Sequence, residues 1–211
     1  MAPVAPLWRR AWWRRGRRVR AAPYNPRMSE LVLRRMTGAD LAGVIAVQAQ
    51  CYGDSLIESE AALASRIALS PQTCWMAARA DGEWLGYLLT HPWPAASLPP
   101  WDGVLARGWT AQTPLVWFVH DMAVAPTGRG TGVAMRLYDA ARAAAVEQGL
   151  EMSRLIAVQS AAPWWRRLGY APVDAEASYA AKLAAYGNTA VLMEKRLSPE
   201  GDRRFDTTAA N

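Results

Sequence analysis

Val119-His120-Asp121-Met122-Ala123-Val124-Ala125-Pro126, followed after two residues by Arg129-Gly130-Thr131-Gly132-Val133-Ala134, is the stretch that decides how this chain folds. The run from Leu115 to Val124 is apolar apart from His120-Asp121 and reads as a strand. Pro126 ends it, a glycine-containing turn follows, and a helical pattern then continues to about Gln148, closed by Gly149. A strand that turns directly into a helix aims several free backbone N–H groups at one point, with the positive end of the helix dipole behind them. Phosphates bind such turns. Gly130 and Gly132 allow close approach of the backbone, and Ala134 keeps the first helical turn slim. A nucleoside-triphosphate loop needs Gly-Lys-Ser/Thr here, and the sequence has Gly132-Val133-Ala134. The dinucleotide fingerprint fails too, because Val133 stands where its last glycine belongs and the turn comes late in the chain.

Working outward toward the N-terminus, Leu31–Arg35 reads as a short strand, and Thr37 with Asp40 forms a box-like helix start. That helix runs to about Gln50. After a break at Cys51–Ser55, a second helix is expected over Glu58–Leu69, stopped by Ser70-Pro71. Thr73–Ala80 and Glu83–Thr90 form a hairpin across Asp81-Gly82. In residues 91–113, Pro92, Pro94, Pro99 and Pro100 argue against regular structure. Trp93, Trp101 and Trp109 in that segment fit either a cover over a sheet edge or core patch, or a wall of a substrate site. Toward the C-terminus, strands are expected at Arg154–Gln159, Tyr170–Val173 and Thr189–Arg196. A short helix is expected at Ala161–Leu168. The order of elements implies an α/β fold with a mixed sheet in one domain.

Composition narrows the function classes. The 211 residues are 52% hydrophobic, enough for a sizeable core, and hold no run of about 18 apolar residues. Two cysteines (Cys51, Cys74) and two histidines (His91, His120) argue against a disulfide framework and against a zinc or iron enzyme. Of the 24 basic residues, eight arginines fall in 1–27, where there is no acid; the other 16 face 18 acids, leaving 28–211 at −2. The basic balance therefore belongs to a leader, and the domain itself carries no nucleic-acid signature. Residues 1–27 read as a disordered basic leader ahead of a start at Met28. An organellar address and an arm for anionic membrane or nucleic acid compete with that reading. The domain is placed at 28–198 and a polar tail at 199–211. The cysteine usage and the lack of a secretory segment point to the cytoplasm.

Arg129-Gly130-x-Gly132-x-Ala134 resembles the [Gln/Arg]-x-x-Gly-x-[Gly/Ala] pyrophosphate loop of the GCN5-related N-acetyltransferases, the GNAT superfamily. Met122-Ala123-Val124 is similar to the end of that family's fourth strand. Ala162-Pro163-Trp164-Trp165-Arg166-Arg167-Leu168-Gly169-Tyr170 resembles its A-x-x-F-Y-x-x-x-G-F segment. Leu33-Arg34-Arg35-Met36-Thr37 with Asp40-Leu41 is similar to its first strand and helix. The resemblance spans about residues 30–197. It implies a mixed, mostly antiparallel sheet flanked by helices, acetyl-CoA as cosubstrate and an amine as acceptor.

Carried over residue by residue, the resemblance gives the pyrophosphate to backbone N–H groups of Arg129, Gly130, Gly132, Val133 and Ala134. It gives the pantetheine arm to main chain at Met122 and Val124. Members with a base on this strand, including histone and arylalkylamine acetyltransferases, carry Glu or His where this chain has His120, and an imidazole titrates near neutral pH. Asp121 is read as structural. Acceptor contacts are expected from Cys51–Ile57 and 91–113, with Tyr52, Glu58 and His91 as candidates and Asp54 or Glu60 as further acids for a cationic amine. The family's proton-donating tyrosine is Trp165 here, which leaves Tyr170, Tyr179, Tyr186 or water as the acid. Transfer is expected to be direct, since neither cysteine sits in an activating setting. The resemblance to the arylalkylamine branch is faint. A non-catalytic CoA-binding regulatory module is the alternative, no membrane or nucleic-acid partner is expected for the domain, and a homodimer is the assembly considered.

Overall fold

The computed structural model describes residues 31–52, 56–158, 160–174 and 179–198. The readings made for the leader, the tail and Asp54 lie outside these residues. Strands β1 (Leu31–Arg35), β2 (Trp75–Arg79), β3 (Trp84–Pro94), β4 (Leu115–Val124), β5 (Met152–Ala157), β6 (Ala171–Pro172) and β7 (Val191–Arg196) form one sheet. Its order is β1-β2-β3-β4-β5-β7-β6. Every neighbouring pair is antiparallel except β4–β5. The expected mixed, mostly antiparallel sheet flanked by helices is thus observed, and no described helix is long and apolar enough to cross a membrane.

Alternation along β3 shows how the two faces are filled. Tyr87 and Leu89 point into a core with Val44 and Val47 of α1 (Leu41–Cys51) and Leu63 and Ile67 of α2 (Glu60–Leu69). Leu88, between them, points into the opposite core, with Leu137 and Ala141 of α3 (Val133–Glu147) and Trp165 of α4 (Ala162–Arg167). The period of two in the strand therefore meets the 3.6 period of helices on both sides. At the first helix, Asp40 accepts from the Thr37 N–H at 2.8 Å and its hydroxyl at 3.1 Å, and Arg34 clasps both of its oxygens. The box caps a short 3-10 turn, Gly38–Asp40, that leads into α1.

The structure corrects several boundaries. Helix α2 starts at Glu60 and not at Glu58, because the Ser59 side chain caps it by accepting the Ala62 N–H at 3.3 Å. Strand β3 does not stop at Thr90 but continues through His91-Pro92-Trp93-Pro94, paired with Phe118, Trp117, Val116 and Leu115. Prolines are tolerated there because β2 pairs with β3 no further than Leu88, so two residues spaced by two present their N-less edge to no partner strand. The next residue, Ala95, donates its N–H to Pro114 O at 2.9 Å on the β4 side. The strand expected at Tyr170–Val173 shrinks to two residues, β5 begins at Met152, and helix α5 (Ala180–Ala184) was not anticipated.

Candidate active site

The parallel ladder between β4 and β5 pairs Trp117 with Ser153, Phe118 with Arg154 and Val119 with Leu155, and then stops. Beyond Val119 the two strands part, and among the described residues no strand pairs with β4 on that side as far as Val124. On the other side, Leu89 faces Asp121 while Thr90 faces Val119, which leaves His120 as an inserted residue. Such a bulge twists a strand and re-aims its side chains. His120 and Asp121 consequently line the same pocket, where a regular strand would have sent them to opposite faces. Asp121 is nonetheless structural: it accepts from the Tyr52 hydroxyl at 2.6 Å, Gln48 Nε2 at 3.2 Å and the Tyr87 hydroxyl.

His120 Nε2 lies 2.8 Å from Glu58 Oε2, with the two side chains 2% and 3% exposed. The other carboxylate oxygen of Glu58 accepts from Arg66 Nη2 at 2.8 Å and from the Asp102 N–H at 2.9 Å. Burial pushes the Glu58 carboxyl up, but His120, Arg66 and the Asp102 N–H outweigh it and hold it below the ordinary value. Glu58 is therefore not a free acid for an acceptor amine, as the sequence reading had it; its lone pairs are taken inside the protein. His120 Nδ1 is buried with no hydrogen-bond partner among the described residues.

His91 is a second correction. It is fully buried, packed among Trp93, Phe118 and His120, with Nδ1 on the Pro92 carbonyl at 3.1 Å. Burial drives its pKa well below the ordinary value, so it stays neutral, and it lines none of the cavities described here. Tyr52 stands at the junction of all three cavities, its hydroxyl donating to Asp121 and reaching Met122 O at 3.2 Å.

A cavity of about 370 Å³ is a trench lined by Met122, Val124, Arg129, Ala134, Trp164 and Trp165. It runs along the unpaired edge of β4 to the glycine turn. Gly130 and Gly132 have φ of 74° and 82°, a region disfavoured for any residue with a Cβ, and a Cβ at either would meet nothing within 4 Å. The N–H groups of Gly130, Gly132, Val133 and Ala134 have no internal acceptor among the described residues. The Arg129 N–H does not join them, because the 3-10 turn at Pro126–Gly128 directs it to Pro126 O at 3.3 Å. Gly128 is needed sterically, since a Cβ there would sit 2.5 Å from Leu85 O.

A second cavity of about 60 Å³ lies where β4 and β5 part, bounded by His120, Met122, Leu155, Ile156, Val158 and Trp165. A third, of about 40 Å³, is lined by Tyr52, Glu58, Trp101, His120, Asp121 and Tyr186. His120 borders both smaller cavities, and Val158 borders all three. Of the three tyrosines considered as acids, Tyr170 is engaged by Ser153 and Tyr179 packs with Leu98 and Phe118. Tyr186 reaches a cavity, and its buried hydroxyl has no partner among the described residues.

Residues 95–114 cover a core patch, as one reading of the proline-rich segment had it, and also wall a cavity. Leu98 packs in a core with Phe118 and Leu192, while Trp101 walls the third cavity. Arg154 donates to Ala95 O at 2.7 Å, Lys182 to Leu98 O at 2.5 Å and Arg66 to Gly103 O at 3.0 Å. The Ser59 N–H donates to Asp102 Oδ1 at 2.6 Å, and Asp102 has a left-handed φ of 49°. Arg66 was missed from the sequence, although a visible signal existed: it shares the apolar helical face of Leu63 and Ile67.

The profile of the Acetyltransferase (GNAT) family matches residues 42–170, from α1 through the glycine turn to Tyr170. The chain belongs to the GNAT acetyltransferase family. No curated protein matches this GNAT sequence. Its fold is shared with a GphF GNAT-like decarboxylase in complex with isobutyryl-CoA (TM-score 0.61, 18% identity, covering 79% of this chain and 100% of that one). It is also shared with the NatC complex bound to Gag peptide and CoA (0.59, 14%, 80% and 99%). Arylalkylamine N-acetyltransferase 2 from Aedes aegypti is a third (0.57, 13%, 80% and 99%). Among the described residues of this GNAT domain, no group of three or more His, Cys, Asp or Glu is placed to hold a metal ion.

Proposed function

We propose that this GNAT protein is an acetyl-CoA-dependent N-acetyltransferase that transfers the acetyl group directly to a small-molecule amine in the cytoplasm. One observation carries the reading: the unpaired edge of β4 runs from the bulged His120 into a turn of free N–H groups. The pyrophosphate of acetyl-CoA fits the N–H groups of Gly130, Gly132, Val133 and Ala134. The pantetheine arm fits the trench beside Met122 and Val124, and the thioester the small cavity where β4 and β5 part. The acceptor enters beside Trp101, Tyr52 and Tyr186. His120 takes a proton from its ammonium, the freed amine attacks the thioester carbonyl, the carbon–sulfur bond breaks, and the second proton lost from the acylated nitrogen neutralises the departing CoA thiolate.

The small size of the third cavity, about 40 Å³, and the anchoring of its wall favour a small amine over a peptide. Two carboxylates, Glu58 and Asp121, against one guanidinium, Arg66, favour a cation. The structural relatives handle an acyl-CoA, a peptide with CoA and, by name, an arylalkylamine, so the fold alone does not choose the acceptor. The test is calorimetric titration of the full chain with acetyl-CoA, followed by CoA-thiol release with small amines and with N-terminal peptides. Saturable one-to-one binding and amine-dependent release support the reading; no binding at millimolar acetyl-CoA overturns it. His120→Gln is expected to lower turnover and change its pH profile while acetyl-CoA affinity holds. A second reading rests on Trp165, buried where the family's tyrosine would stand and without an acidic proton. A CoA-binding regulatory module would bind CoA and release no thiol with any amine.

A further inference from the structure

We propose that Glu58 is the positioning residue of His120: it holds the ring by Nε2, so that Nδ1 is the nitrogen that takes the acceptor's proton. An ionised carboxylate only accepts hydrogen bonds, so the 2.8 Å contact places a hydrogen on Nε2. In a neutral imidazole the other nitrogen is then the bare one. That nitrogen, Nδ1, is buried and has no partner among the described residues, on a ring that borders both the thioester-sized cavity and the acceptor cavity.

The carboxylate is itself held in one orientation. Arg66, with a fully buried side chain, and the Asp102 N–H take Oε1, which leaves Oε2 to His120. The Glu58 N–H is anchored on Gln48 Oε1 at 3.3 Å. A carboxylate fixed from behind and aimed at one imidazole nitrogen sets both tautomer and ring orientation, as in other carboxylate–histidine pairs. The competing role is purely structural, with Glu58 serving only to neutralise the buried Arg66.

The assignment of Nδ1 as the working nitrogen rests on the N-acetyltransferase reading; the tautomer does not, and the experiment separates them. The first measurement is 15N NMR of the imidazoles in the full chain without ligand near neutral pH. With only two histidines in the sequence, His120→Gln identifies the His120 signals. A hydrogen on Nε2 and a bare Nδ1 are expected; the opposite tautomer overturns the proposal. The second uses Glu58→Leu combined with Arg66→Met, so that neither partner is left as a lone buried charge. This variant is expected to populate both tautomers and to lose about tenfold or more in kcat. Its acetyl-CoA affinity is expected to stay within about threefold, with partial return of kcat in Glu58→Asp, where Arg66 still holds Gly103 O. An unchanged tautomer in the double variant, or an unchanged kcat in an active enzyme, overturns the positioning role. If the unaltered protein acetylates no amine, the N-acetyltransferase reading falls and the claim for Nδ1 with it, while the tautomer measurement still decides whether Glu58 orients the ring.

Discussion

Gly132 and His91 show what single residues decide here. Gly132 holds a φ of 82° at the point where the trench meets the helix, so Gly132→Val combines backbone strain with a side chain in the ligand's path. Acetyl-CoA affinity is expected to fall by about tenfold or more, roughly the effect of 1–3 kcal/mol of strain, read by calorimetry. His91 matters through pH. Its folded pKa is depressed by burial, whereas the unfolded chain binds a proton near the ordinary value of about 6.5. Below that pH the unfolded state takes up more protons, so stability falls as the pH drops. Glu58 and Asp40, held below the ordinary carboxylate range, add a second loss as the pH falls below about 4. Thermal unfolding of His91→Phe is expected to lack the upper limb and keep the lower one; an unchanged profile between pH 7 and 5 would count against a neutral buried His91.

At the scale of elements, the segment 95–114 is a fixed wall, and Asp102 is one of its fastenings. Asp102→Ala removes the acceptor of the Ser59 N–H and leaves a left-handed residue held through its own N–H to Glu58 alone among these contacts. The expected outcome is a rise of about threefold or more in acceptor KM with acetyl-CoA affinity intact, measured by steady-state kinetics. The strand-to-helix turn was legible because its chemistry is local: a strand, a proline, two glycines and a helix stand in sequence order. The bulge at His120 was not, since it exists only in the register between β3 and β4. The prolines at 92 and 94 misled for the same reason, because a missing N–H matters only if a neighbouring strand needs it. Glu58 was visible as an acid near the acceptor region. Its true partners come from Arg66, eight residues on, and His120, 62 residues on, and no local pattern announces them.

At the scale of the molecule, the sheet is interrupted where β4 and β5 part, and the proposed cosubstrate would lie along the freed edge. A ligand that binds only the folded state stabilises it by mass action, about 2.7 kcal/mol at a hundredfold excess over Kd. For a chain of this size that corresponds to a rise of roughly 5–10 °C in Tm, measured by differential scanning fluorimetry with CoA. Amides of residues 120–124 are expected to show the largest slowing of hydrogen exchange on binding. No change in Tm at saturating CoA would argue that the trench does not take it.

The wall of the proposed acceptor cavity is gripped in a particular way: Arg154, Lys182 and Arg66 hold carbonyl oxygens of Ala95, Leu98 and Gly103, and the Asp102 amide meets Glu58. These fastenings use main-chain atoms, which every residue type supplies. Most side chains of the wall can therefore be exchanged without losing its anchorage, whereas the three cations cannot. The arrangement separates what lines the cavity from what keeps the wall in place, and on the proposed function a lineage or a designer altering acceptor choice would find the freedom in residues such as Trp101, with the scaffold left untouched.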